Sequence, residues 1–262
     1  MYFSTLKNIQ LLLIIAVIIS ACGSPGSNQE TEATIVPPPP PPPNLVMISL
    51  DTLRSDRLGC YGYDLPTSPF MDELSRNSIL ARDVLAQNPS TVLSHRAIFT
   101  GQYVFQQKKG RASAEKTLAG ILTKAGYSTA GFTDGGLMAA FYGNDPGFQL
   151  YNDQAGGFRH IIDRAMTWLD SNSGNPFFLF LHTYDIHYPY TPPEPYADLF
   201  LPEGEPPYHL GSDYGQEYWN GLSLSRNEFI WISRRYDGGV RSTDTQMSRL
   251  WSALKSRGLL EN

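Results

Sequence analysis

Cysteine is nearly absent: the 262 residues hold only Cys22 and Cys60. Cys22 falls in a processing position, so Cys60 stands alone and no internal disulfide framework holds the fold. Basic runs are scarce too. The net charge is −5 and no lysine or arginine stretch marks a track for a phosphate backbone, which argues against nucleic acid as a partner. No internal repeat is visible. The one long apolar run near the N-terminus, LLLIIAVII, is too short to span a bilayer comfortably.

That run follows Lys7 and ends in the small residues Ser20 and Ala21 before Cys22. Ile19-Ser20-Ala21-Cys22 looks like a bacterial lipobox, in which Cys22 becomes the lipidated first residue; an uncleaved signal anchor is the alternative. The expected organisation is a lipoprotein signal peptide over 1–21, a Pro-rich linker over 22–43 and one α/β domain over 44–262. Pro37 to Pro43 predict a stiff polyproline II spacer of roughly 20 Å. The expectation is therefore a domain held off the bacterial envelope membrane by a lipid anchor, facing the periplasm or the exterior.

The domain is organised around NLVMISLDTLR, Asn44 to Arg54. Leu45, Val46, Met47, Ile48 and Leu50 make a near-continuous apolar run broken only by Ser49, which predicts a central parallel strand covered on both faces. Asp51 follows at once. Ligands gather outside the carboxyl ends of such strands, so Asp51 either holds a hard cation or caps the next turn. Ser68 to Arg76 predicts a short helix with Pro69 at its first position, and Ile79 to Ala86 a second strand. Cys60 reads as a packed small hydrophobe.

In NPSTVLSHRAIFTG, Ser90 and Thr91 open a short apolar helix that closes at Gly101. A hydroxyl there is a cap, or else part of a site. A helix N-terminus favours a tetrahedral oxyanion, His95 and Arg96 can neutralise more of its charge, and a cation shared with Asp51 would turn the Thr91 hydroxyl into an alkoxide. Lys116 to Lys124 and Phe158 to Leu169 predict helices, and Tyr127 to Phe132 and Pro176 to Leu181 predict strands. After the last of these comes HTYDIHYPY, which puts His182 and His187 on the same sheet edge as Asp51 and Thr91. His182 reads as a hydrogen-bonded structural residue. Residues 189–225 are rich in Pro, Tyr and Gly and predict a long excursion whose aromatics, Tyr190, Tyr214, Tyr218 and Trp219 among them, together with the preceding Tyr188, stack on ligand or on one another. Arg234 to Arg257 predicts a long helix.

NLVMISLDTLRSDRLGCYGYDLPTSPFMDEL, STVLSHRAIFTG, KTLAGILTKAGYSTAGF, DPGFQLYND and PFFLFLHTYDIHYPYTPPEPY together resemble the sulfatase family of the alkaline phosphatase superfamily, in the same order and at similar spacing. The resemblance implies a mostly parallel sheet with helices on both faces. It implies Asp51 as a metal ligand, Thr91 as nucleophile and second ligand, and His187, in His-x-Pro, against the oxyanion or leaving group. The expected cofactor is a divalent metal, Ca, Zn or Mn. Three positions depart from the family. Thr52 stands where a second aspartate is common. Thr91 replaces the cysteine or serine that matures to formylglycine, so none is expected, and Asp134 with Gly135 and Gly136 stands in place of a Gly-Lys-Trp lysine. Asp134 itself reads as a loop or capping residue, with a substitute ligand as the alternative.

The family's late strand and Asp-His-Gly or Asp-Asn-Gly turn are not found before Asn262, so the expected sheet is cut short before its last metal ligands. The expected activity is hydrolysis of a sulfate or phosphate ester, glycan-borne esters included, with little turnover from the 262 residues alone. The alternatives are a non-catalytic envelope lipoprotein that binds glycans or a partner, and a phosphoethanolamine-type transferase.

Overall fold

The computed structural model describes residues 42–107, 110–205, 207 and 224–260. FFLFLHT, Phe177–Thr183, is buried at all seven positions and forms the central strand. Numbered along the chain, β1 is Leu45–Leu50, β2 Ser128–Thr133, β3 Leu150–Asn152 and β4 Phe177–Thr183, in the parallel order β1-β4-β2-β3. A strand whose side chains all need cover suits a parallel sheet with helices on both faces.

Side-chain alternation along β4 divides the core. Phe177, Leu179 and Leu181 face α4 (Gly157–Asn172), contributing Phe158, Ile161, Ile162, Ala165 and Leu169, and Leu250 and Leu254 of α5 (Arg226–Ser256). Phe178 and Phe180 face Phe99 of α2 (Thr91–Thr100) and Ala119 of α3 (Leu118–Lys124). Each fully buried Phe or Leu contributes about 2 kcal/mol against exposure, so the two layers fix the sheet from both sides. The short helix α1 (Pro69–Ser75) has Pro69 at its start, and its Phe70 and Met71 amides donate to the buried Asp244 carboxylate of α5.

Two expectations are corrected. Among the described residues the first strand lies at the edge of the sheet and not at its centre: β1 pairs with β4 alone, and Val46 is 37% exposed. Its apolar run is still explained, since Leu45 and Met47 join one core layer and Ile48 and Leu50 the other. Hydrophobic runs report covered faces and are silent about lateral neighbours. Ile79 to Ala86 is not a strand either: it runs as irregular chain with Ile79, Val84 and Leu85 exposed. Arg82 and Asp83 break its apolar pattern, and apart from the half-buried Leu80 its residues are exposed.

The last helix begins eight residues earlier than its apolar stripe suggests. Ser225 accepts from the Glu228 amide while Glu228 accepts from the Ser225 amide, a reciprocal cap that extends the helix outward. No helix among the described residues is long and apolar enough to cross a membrane. The signal segment, Cys22, most of the Pro-rich linker, and Tyr214, Tyr218 and Trp219 lie outside the described residues.

Candidate active site

The sheet register assembles the site. Leu50 pairs with Thr183, Ser49 with His182, and Thr133 also with His182, so β1, β4 and β2 end level. Asp51 extends the ladder by one bond, its amide donating to the Thr183 carbonyl at 3.2 Å, and then the chain turns. The Asp51 carboxylate thus emerges at the carboxyl edge of the sheet beside the start of α2.

Asp51 does not cap the following turn, and Thr91 does not cap α2. The Thr91 hydroxyl donates to Asp51 Oδ2 at 3.1 Å, and His182 Nε2 lies 3.4 Å from the same oxygen. Ser90, at the N-cap of α2, makes no side-chain cap bond. Burial opposes the charged form of Asp51. The His182 hydrogen bond and charge, the Thr91 bond and the charge of His187 outweigh it, holding the carboxyl below its ordinary value. Asp51 is therefore a carboxylate at neutral pH, and it orients the Thr91 hydroxyl at the positive end of a ten-residue helix.

His95 is held from both sides. Its Nδ1 lies 2.8 Å from the Thr91 carbonyl, which can only accept, so Nδ1 carries the proton and Nε2 accepts from the Ser49 hydroxyl at 2.8 Å. Burial, with the nearby His182, lowers its pKa, so the ring is neutral at pH 7. Both nitrogens being engaged, His95 ties α2 to β1 and presents no free donor to an anion. Ser49, the single polar interruption in the first strand, is its partner. Arg96 points elsewhere: its guanidinium reaches the Tyr142 carbonyl at 3.4 Å and lines a cavity of about 320 Å³ with Gln102, Gln106, Arg111 and Lys116.

His187 lies in the loop after β4, half-buried, its Nδ1 donating to the Tyr188 carbonyl at 2.6 Å, so that Nε2 is the ring nitrogen outside that bond. Sequence reasoning did not single out Tyr184. Its ring meets His182 edge-on at 4.6 Å and His187 at 5.7 Å, bridging the two histidines. Burial first, then the charge of Asp51, pushes its phenol up to about 12, so it stays protonated. Its place between two histidines in HTYDIH was the available signal. Asp134 accepts from the Gly156 and Gly157 amides and so serves as a cap at α4. Cys60 packs beside Leu58 and Ile186, and burial followed by Asp72 pushes its thiol up, away from a reactive thiolate.

For a divalent cation, Asp51 and Thr91 converge as hard oxygen donors with the His182 nitrogen beside them. The set fits in kind and falls short in number: no group of three His, Cys, Asp or Glu side chains able to hold a metal occurs among the described residues.

No curated protein matches the sequence. Solved structures do. The phosphonate monoester hydrolase of Agrobacterium radiobacter has a TM-score of 0.63 at 18% identity over 83% of this chain and 60% of that one. The C-terminal periplasmic domain of EptC from Escherichia coli, in a complex with zinc, has a TM-score of 0.60 at 16% identity over 83% and 61%. BT4656, in complex with its substrate D-glucosamine-2-N,6-O-disulfate, has a TM-score of 0.65 at 18% identity over 83% and 63%. The chain spans about three-fifths of the length of these proteins, and at such identities the likeness is one of fold. A family model gives the closer assignment, matching residues 43–262: the chain belongs to the Sulfatase family.

Proposed function

We propose that the crevice between Asp51, Thr91 and His187 is the reactive centre of an enzyme that hydrolyses sulfate or phosphate esters, with Thr91 as nucleophile. The observation that carries this is the Thr91 hydroxyl donating to a carboxylate at the sheet edge instead of capping its helix. That bond points the hydroxyl proton at Asp51 and leaves an oxygen lone pair for the substrate. The Thr91 oxygen gives its proton to Asp51 and attacks sulfur or phosphorus as the ester oxygen leaves and takes a proton from solvent; water then cleaves the Thr91 ester, releasing sulfate or phosphate and restoring the hydroxyl. The N-terminus of α2 and His187 Nε2 meet the charge that spreads over the equatorial oxygens. His95 acts through position, fixing α2 against β1.

A divalent cation would sit on Asp51 and Thr91, with further donors from outside this set, and would supply the positive charge that lowers the pKa of the hydroxyl. Zinc in one structural relative and a disulfated glucosamine in another support a metal and a glycan-borne ester. Lipidation at Cys22 would place the domain at the bacterial envelope.

The test is turnover of a panel of sulfate and phosphate monoesters and diesters, with and without added Zn, Mn or Ca. The proposal expects Thr91→Ala to lower kcat by roughly 10³-fold or more. Equal turnover by parent and variant would refute the nucleophile. An inert parent would instead favour a non-catalytic lipoprotein that binds glycans through the same fold.

A further inference from the structure

Thr52 is the only non-glycine residue with positive φ among the described residues, at 59°. The Leu53 amide donates to the Leu50 carbonyl at 3.3 Å, so Leu50 to Leu53 form a β-turn with Asp51 and Thr52 at its centre. Asp51 has no positive φ, which makes this a type II-like turn, whose third position ordinarily takes glycine. A β-branched residue is poorly suited to that left-handed conformation. The Thr52 hydroxyl folds back onto the Asp51 carbonyl at 2.7 Å, a local bond that brings in no other part of the fold.

The fold supplies the missing hold from far along the chain. The Tyr236 hydroxyl, on α5, donates to the Thr52 carbonyl at 2.8 Å and accepts from the Arg54 amide at 2.9 Å, bracketing the turn. Tyr236 is only 7% exposed, and its ring meets Tyr190 edge-on at 5.6 Å, in the segment that carries His187. Burial pushes its phenol up, so the hydroxyl keeps the proton it donates. The ring packs with Leu58, Ile186 and Val240, which holds the hydroxyl in place.

We propose that Tyr236 is a positioning residue for the reactive centre: its hydroxyl clamps the left-handed turn at Thr52 and so keeps the Asp51 carboxylate within reach of Thr91 and His182. This rests on the proposal that Asp51 and Thr91 are that centre. Tyr236→Phe removes the clamp alone, since phenylalanine keeps the ring and loses both hydrogen bonds.

The test is hydrogen exchange across the folded chain together with ester turnover, on parent, Tyr236→Phe, and Tyr236→Phe combined with Thr52→Gly. Tyr236→Phe is expected to speed exchange at the Arg54 amide and through residues 51–54, with β4 unchanged, and to lower kcat about tenfold, as loss of an outer partner does. Thr52→Gly, which takes positive φ without a Cβ penalty, is expected to bring both back toward the parent. Unchanged exchange at residues 51–54, exchange faster throughout the chain, or no restoration by Thr52→Gly would overturn the clamp. A parent without turnover would sink the proposed function, while exchange and its restoration would still decide the clamp.

Discussion

At the scale of single residues, the buried carboxylates of α5 do two different jobs. Asp237, with no exposed surface, accepts from Arg57 at 3.2 Å, Arg234 at 3.0 Å and Tyr63 at 2.7 Å, an ion cluster that anchors the segment after Asp51. Asp244 holds the start of α1 through the Phe70 and Met71 amides. Burial pushes the Asp244 carboxyl above its ordinary value of 3.8, with those amides and Arg241 acting against the shift. The folded chain thus keeps this proton to higher pH than the unfolded chain does. Its contribution to stability is whole below 3.8 and is lost as pH rises through the folded value. Urea midpoints of parent and Asp244→Asn, compared from about pH 3 to about pH 6, should show the parent losing ground to the variant as pH rises. A constant difference across that range would contradict the assignment.

At the scale of elements, close approach decides where α5 lies. A Cβ on Gly238 would stand 2.3 Å from the Tyr196 carbonyl and 3.2 Å from the Pro192 side chain, so the helix touches the loop beyond His187 through a position with no side chain. Gly238→Ala is expected to cost about 2 kcal/mol by overpacking, read as a lower urea midpoint at unchanged slope. A neutral or stabilising result, through the better helix propensity of alanine, would show that the loop yields. Elements of this kind were partly legible in the sequence. PFFLFL gave a buried strand, and the run from Thr91 gave a helix stopped at Gly101, because covered faces and helix stops are written in local pattern. The place of β1 at the sheet's edge among the described residues was not, because lateral order leaves no periodic trace. Ile79 to Ala86 misled for the converse reason: an apolar composition without a surface to bury it stays irregular.

Across the whole molecule, the parallel sheet sets the chemistry by bringing distant segments to one edge. That Asp51, Thr91, His182 and His187 gather there followed from strand polarity, which sequence reading can use. That His95 is locked between Ser49 and the Thr91 carbonyl, and that Tyr236 reaches Thr52, required the register of β1 against α2 and α5, which no local motif encodes. The account stands or falls on Thr91 as the atom that takes the transferred group. The direct measurement is rapid acid quenching of the chain during turnover of a sulfate or phosphate ester, followed by mass spectrometry of the peptide that contains Thr91. The account predicts one sulfuryl or phosphoryl group on Thr91, absent from Thr91→Ala; turnover with that group on another residue, or persisting in the variant, would contradict it.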